Sequence, residues 1–451
     1  MKNETMMKQA SPYKLLAAMG LPVIVVMIVN VLYNMADVFF MGQTGATLQV
    51  AAISLCGPAF NIFNGVGTLF GAGACTAIAM ALGQGDREKA KYFSSFAAWG
   101  SVGVGVIIAA AMLLFMDSLL SLMGANGETA AFAKQYLSIV ALGSPFMMFS
   151  GALGNAVRAD GSSAKVMVIS LAGTGVNILL DPLFINLFGW GIAGAAAATV
   201  LGNVVATVLT VLHVLKSDCF SFSFKYFTLR RSVSLRVMGL GLPMAASTVV
   251  MCFAGMFSNQ LLVKYGNVSV AANGVAGKAS MLVGMIVMGL CMGMQPVISY
   301  AYGMGDRKRL RGIVTATGIV STILSVLLGA GFLLGREGFV QAFLDDPAVL
   351  ETGKFMMLTL LGAPVGGLYQ LCSTYLQGTG KVSYATFTSL LSKGIVYIPV
   401  LFAGEALFGL PGVVFAGAVT DVISTAIGGA LCMSWARQSA GAGKAAVSPA
   451  V

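Results

Sequence analysis

The run Asn177-Ile178-Leu179-Leu180-Asp181-Pro182 sets an amide and a carboxylate four residues apart. In a helix that spacing puts both on one face, a turn apart. From Val166 to Phe188 the surroundings are almost wholly apolar. An ionisable group in such a segment is costly and marks a functional site. A second carboxylate, Asp37, lies in another long apolar run, Tyr13 to Met41.

The whole chain shares this character. Of 451 residues, 57% are hydrophobic and 9% charged, and the mean hydropathy is +0.88. Apolar runs of ~20 residues or more read as transmembrane helices. Twelve are present, at about 13–41, 50–82, 90–116, 129–156, 164–187, 192–215, 235–264, 270–300, 310–334, 349–377, 383–404 and 411–437. The first lacks a small-residue cleavage pattern and is read as retained. The seven cysteines form no CxxC pair and read as apolar packing residues. A single histidine, His213, cannot build a His-rich metal site.

The net charge of +10 is a matter of topology. With the N-terminus inside, twenty of the 26 Lys and Arg fall on the cytoplasmic side, five on the other, and Lys393 within a span. That asymmetry predicts both termini in the cytoplasm, and nucleic acid is not an expected partner.

The two halves repeat. Gly20-Leu21-Pro22 matches Gly241-Leu242-Pro243, 221 residues on; Gly83-Gln84-Gly85-Asp86-Arg87 matches Gly303-Met304-Gly305-Asp306-Arg307, offset 220. Leu142-Gly143-Ser144-Pro145 matches Leu361-Gly362-Ala363-Pro364, offset 219. Six spans separate the copies, so both halves have the same orientation and are related by an axis along the membrane normal. The sequence thus predicts an all-α polytopic membrane protein with twelve transmembrane helices in two six-helix lobes. The expected parts are an N-lobe at 1–215, a cytoplasmic linker at 216–235, a C-lobe at 236–437 and a disordered tail at 438–451.

With these features the chain resembles the multidrug and toxic compound extrusion (MATE) family of secondary transporters, over about residues 10 to 437. The resemblance rests on the repeat and on four segments: Met35-Ala36-Asp37-Val38-Phe39-Phe40-Met41-Gly42, Gly83-Gln84-Gly85-Asp86, Gly175 through Leu183, and Gly191-Ile192-Ala193-Gly194-Ala195-Ala196 with Thr199 following. It implies a cation or proton site in the N-lobe formed by Asp37, Asn177, Asp181 and Thr199. Some relatives carry a second acidic site in the seventh and tenth helices. This chain has Ser258-Asn259-Gln260 and no acid between Lys354 and Gln377 there, so the resemblance is to the N-lobe-coupled branch. It implies an antiporter in the bacterial inner membrane that exports organic, hydrophobic cations in exchange for H⁺ or Na⁺. No cofactor is expected, and no metal beyond Na⁺ at the cation site.

Depth agrees. Asp37, Asp181 and Thr199 each fall within roughly 6–11 Å of the outer ends of their spans, at ~1.5 Å per residue. Two carboxylates, an amide oxygen and a hydroxyl suit a hard monovalent cation or a shared proton.

Elsewhere, Asp421 is the one deep acid of the C-lobe, read equally as a helix-bonding group or as part of the transport path. Lys393 reads as snorkelling from the cytoplasmic end. Flexible Met and aromatic faces suit varied apolar cations. Tyr33, Asn34 and Met35, with Met256, Asn259 and Gln260 in the matching C-lobe helix, are the candidate cavity residues. Expected partners are small-molecule organic cations and membrane lipid, with the chain a monomer. The alternative is a lipid-linked saccharide flippase or polysaccharide exporter of the same broad architecture; the N-lobe acids argue against it. One histidine and no HExxH or HxxxxD argue against an enzyme.

Overall fold

A computed structural model describes the backbone at residues 2–43, 47–343 and 346–442; side chains at 2–3, 32–39, 41–43, 47, 122, 252 and 439–442 lie outside the described ones. Twelve helices are long and apolar enough to cross a membrane. In the first lobe they are α1 (Pro12–Val31, its helix continuing to Gln43), α2 (Leu48–Gly83), α3 (Arg87–Leu114), α4 (Gly127–Asp160), α5 (Ser163–Leu187) and α6 (Ile192–Leu215). The second lobe has α7 (Arg231–Val263), α8 (Asn267–Gly303), α9 (Arg307–Leu334), α10 (Pro347–Gly378), α11 (Val382–Phe408) and α12 (Leu410–Gln438). Each expected span has its helix, with ends shifted by at most five residues. Residues 231–235, expected in the linker, form the first turn of α7. The α12 helix continues to Ala442, into the expected tail; residues 443–451 lie outside the described ones.

The repeat is written into the backbone. Gly85 and Gly305 turn the α2–α3 and α8–α9 loops at φ 80° and 72°. Asp86 and Asp306 follow them and cap the next helix, accepting from Lys89 N at 3.0 Å and Arg309 N at 2.9 Å. Gly191 and Gly409 open α6 and α12 in the same unusual conformation, φ 52°, ψ −129° and φ 64°, ψ −135°. Only glycine adopts such angles without strain.

Prolines break the regularity unevenly. Pro145, Pro243 and Pro296 sit inside continuous helices. Wide π-turns occur at Leu16–Gly20, Leu183–Leu187 and Leu391–Ile395, each within four residues of a proline: Pro22, Pro182 and Pro399. A proline supplies no N–H to the ladder, and single π-turns cluster at functional sites.

The lobes meet through the helices of their second position. α2 and α8 are the most buried of the twelve. Each lobe's first helix packs along the other lobe's second: α7 on α2, and α1 on α8. The contacts are reciprocal. A Cβ on Gly83 would strike the Tyr300 carbonyl oxygen, and one on Gly303 would strike that of Met80. Gly73 lies against Val237 and Gly241, and Gly293 lies against Met19 and Gly20. At the centre, Gln295 Nε2 donates to Thr76 Oγ1 at 2.9 Å, and both residues are buried. Thr76 and Gln295 stand 219 residues apart, one short of the offset of 220 that relates α2 to α8, so the pseudo-two-fold axis passes close to them. Self-complementary contact of this kind is what a two-fold axis requires. These approaches all lie toward the membrane face that carries the N-terminal segment.

That segment bridges the lobes beneath the seam. A short leading helix, Lys2–Gln9, ends before Ser11, which caps the start of α1. Glu4 pairs with Arg87 of α3 at 2.6 Å. Arg309 of α9 donates to the Met7 carbonyl through Nε and Nη2 at 3.1 and 2.5 Å, and to that of Ala10 at 3.0 Å. The chain between α6 and α7 is strapped to α3: Ser95 Oγ donates to Ser223 O at 3.0 Å and Trp99 Nε1 to Phe222 O at 2.7 Å. Cys219, in this strap, is a free thiol pushed up to about 11 by burial, with Glu4 adding to it, so it stays protonated and unreactive at neutral pH.

The seam predicts coupling between its two central side chains. Gln295→Leu leaves the Thr76 hydroxyl buried without this partner, and Thr76→Val leaves the Gln295 amide with only its longer bond, to Gln377 Oε1 at 3.5 Å; each is expected to cost about 1–3 kcal/mol. The double variant should cost less than the sum of the two. Thermal unfolding of the four purified proteins reads this directly, and strictly additive losses would show that the pair does not hold the lobes.

Candidate cation site in the first lobe

The α5–α6 crossing is set by two glycines. A Cβ on Gly202 would lie 2.6 Å from the Gly173 carbonyl oxygen and 3.0 Å from the Asn177 Cβ; one on Gly173 would lie 2.8 Å from the Gly202 carbonyl oxygen. Small residues at such a crossing let helices approach closely in lipid. The approach presses Asn177, one turn beyond, against α6. Its Nδ2 lies 3.5 Å from Thr199 Oγ1, a long hydrogen bond. Asn203 Nδ2, one turn along α6, donates to the Thr199 carbonyl at 2.9 Å.

Burial here is nearly complete: Asp181 is 0% exposed, Thr199 1% and Asn177 2%. These are polar groups inside a lipid-embedded helix pair, so their placement is not incidental. The Asn177 Oδ1 atom is buried with no hydrogen-bond partner among the described residues. Pro182 follows Asp181 and offers no N–H to the Ile178 carbonyl, and the helix then widens into its π-turn. Phe184, Phe188 and Trp190 close the end of α5 as a ring cluster with centroids 5.0–5.8 Å apart. Half-exposed aromatics at that level are what a membrane interface selects.

Asn177, Asp181 and Thr199 are therefore in one buried region, the last two of them on different helices. α1 packs along α5. The side chains of Asp37, Tyr33, Asn34 and Met35 on α1 lie outside the described residues. A carboxylate, an amide oxygen and a hydroxyl are hard oxygen donors, suited to a small monovalent cation or to a proton held at the carboxylate.

The second lobe encloses a larger space. A cavity of about 880 Å³ opens between α7, α8, α10, α11 and α12, lined by Ser258, Gln295, Gln370, Tyr397 and several methionines. Met256, Asn259 and Gln260 are exposed on α7 and do not line it. Lys393 and Asp421 do, although sequence reading sends Lys393 toward the membrane surface. The π-turn at Leu391–Ile395 changes the direction in which Lys393 leaves its helix, and apolar run length carries no sign of such a turn. A polar stripe was legible: Gln370, Thr374 and Gln377 recur at helical spacing on α10.

The MatE family model matches this chain twice, at residues 22–183 and 243–403, one match for each lobe. The multidrug export protein MepA of Staphylococcus aureus is 32% identical over 420 residues, covering 92% of each chain. The chain belongs to the MATE family. A MepA protein of Staphylococcus saprophyticus is 31% identical over 428 residues, 94% of each. Among solved structures, an outward-facing MATE family multidrug resistance transporter superposes with TM-score 0.91 at 22% identity, over 97% of this chain and 99% of that one. A MATE transporter in the bent conformation gives 0.91 at 23%, over 98% and 99%. The twelve-helix, two-lobe fold is thus the MATE fold. MATE proteins are membrane transporters that need no cofactor, so the chain is a transporter and not an enzyme.

Gly202→Val tests the geometry of the α5–α6 pair. Overpacking at such a crossing typically costs about 1–3 kcal/mol and moves α6 away from Asn177. Gly175→Val, where an added Cβ meets open space, should unfold at nearly the wild-type temperature. Equal melting of the two variants would contradict the close approach.

Proposed function

We propose that this chain is a bacterial inner-membrane antiporter that exports hydrophobic organic cations in exchange for H⁺ or Na⁺. Coupling would pass through Asp37, Asn177, Asp181 and Thr199, and transport through rocking of the N-lobe (1–215) against the C-lobe (236–437) about the linker at 216–235. The single observation that carries the reading is Asp181: a carboxylate with no exposure, one turn from a buried amide whose Nδ2 lies 3.5 Å from a buried hydroxyl on the next helix. A carboxylate so placed serves charge exchange better than stability, since removing it from water is expensive. The curated relatives quoted above are multidrug exporters, and the oxygen donors of α5 and α6 suit a cation and not a sugar phosphate, so the saccharide-flippase alternative is not the reading adopted. We place both termini in the cytoplasm, from the distribution of Lys and Arg. On that orientation the Thr76–Gln295 seam closes the cytoplasmic face. Small organic cations and lipid are the partners, and the working unit is one chain.

The mechanism follows from shared ligands. Ionised, the pair Asp37 and Asp181 would attract a cation; protonated or occupied by Na⁺, it would lose that charge. Entry of the coupling ion from outside would neutralise the site and release the cation held nearby. α1 links this site to the seam, since Gly20 and Met19 pack on Gly293 of α8.

Asp181→Asn is expected to insert and fold while losing gradient-driven export. The measurement is drug movement in proteoliposomes under an imposed proton gradient and, separately, an imposed sodium gradient. Export by the variant at the wild-type rate under either gradient would remove Asp181 from the mechanism. Response to one gradient alone identifies the ion.

A further inference from the structure

The C-lobe cavity holds one acid and one base that do not neutralise each other by contact. Asp421 enters from α12, and its carboxylate rests over Gly366 of α10, where an added Cβ would lie 2.9 Å from Oδ2. Lys393 enters from the π-turn of α11. The two side chains thus face one cavity from different helices. Yet among the described residues neither takes part in an ion pair within 4.0 Å. Two charges inside an apolar bundle are costly unless each has a close partner. Here both line the same cavity, and among the described residues no ion pair joins them.

The remaining walls suit a flat apolar body. Met244, Met281, Met285 and Met288 face the space with Tyr397, and Gln370 adds an amide. Methionine side chains adapt to varied shapes and contact aromatic rings favourably. A volume of about 880 Å³ accommodates a compound of drug size.

We propose that this cavity is a binding site for zwitterionic aromatic amphiphiles, with the ligand's amine against Asp421 and its carboxylate against Lys393. The binding claim stands apart from the antiport reading, and only its meaning for export rests on that reading. A zwitterion completes both half-made pairs. A simple cation completes one and is repelled by Lys393, so the base acts as a selectivity element against monocations. A simple anion meets the opposite obstacle at Asp421. Charge-assisted hydrogen bonds at both ends are stronger than neutral ones.

The test uses two fluorescent dyes that differ in one group. Rhodamine 19 carries a free carboxylate and a delocalised cation; rhodamine 6G is its ethyl ester and keeps only the cation. Binding to the full-length protein in detergent is read by fluorescence anisotropy, with no ion gradient present, so the outcome is independent of coupling. The wild type is expected to hold rhodamine 19 about tenfold more tightly than rhodamine 6G, the step that one additional satisfied charge pair can supply. Lys393→Gln should erase that preference by weakening rhodamine 19 and leaving rhodamine 6G unchanged or tighter. Lys393→Arg should retain it, and Asp421→Asn should weaken both dyes. Equal affinity for the two dyes in the wild type overturns the proposal, and that comparison needs no variant. Equal weakening of both dyes by Lys393→Gln overturns it too.

Discussion

The hydrogen bond from Gln295 to Thr76 lies where the two halves of the chain meet as equals. It is a buried polar contact in a seam made largely by close backbone approach, with glycines at positions 20, 73, 83, 241, 293 and 303 removing the side chains that would hold the helices apart. In lipid there is no hydrophobic drive to bring helices together, so close packing and buried hydrogen bonds must supply the adhesion. A seam of this kind is strong when closed and loses many short contacts at once when parted. It favours two discrete arrangements over a continuum.

Everything that moves substrate must act on that seam. α1 belongs to both regions: its first half packs on α8 across the axis, and the helix runs on past α5, where Asn177 and Asp181 are buried. A proline and a π-turn, Leu16–Gly20 and Pro22, weaken the ladder of α1 within its contact with α8, which continues to Ile24 and Met27. A change of charge near α5 thus has a short mechanical path to the contact between lobes. The leading helix adds a second tie, since Glu4 holds Arg87 of one lobe and Arg309 of the other holds the carbonyls of Met7 and Ala10.

Hydropathy and repeated glycine motifs were enough to read the twelve spans, their lengths and the two lobes. The glycines at 85 and 305 mark tight turns in any reading, because their conformation excludes other residues. The pair Asn177 and Asp181 was also legible, since an acid is conspicuous in a run of Leu, Ile and Val. Other features left no trace in the sequence. A membrane helix is apolar toward lipid and toward its neighbours alike, so residue spacing does not say which face is buried. Met256, Asn259 and Gln260 are thus exposed on α7 and outside the lining of the C-lobe cavity, while Lys393, expected to snorkel from the cytoplasmic end, lines it. The π-turn that carries Lys393 ends four residues before Pro399, and apolar run length does not record it. Arg309 reads as one more topogenic cation, although it clasps the leading helix.

The central claim is that the seam opens as the opposite face closes. Spin labels on a cysteine-free background report this by electron-electron distance measurement. One pair, at Lys89 and Lys308, lies beside the seam; the other, at Asp117 and Glu337, lies at the far ends of α3 and α9, and all four positions are exposed. On adding substrate at a pH or sodium concentration that leaves the carboxylates ionised, the first distance should lengthen while the second shortens. Distances that change in the same direction at both faces, or a first distance that stays fixed while substrate is transported, would contradict rocking about the Thr76–Gln295 axis.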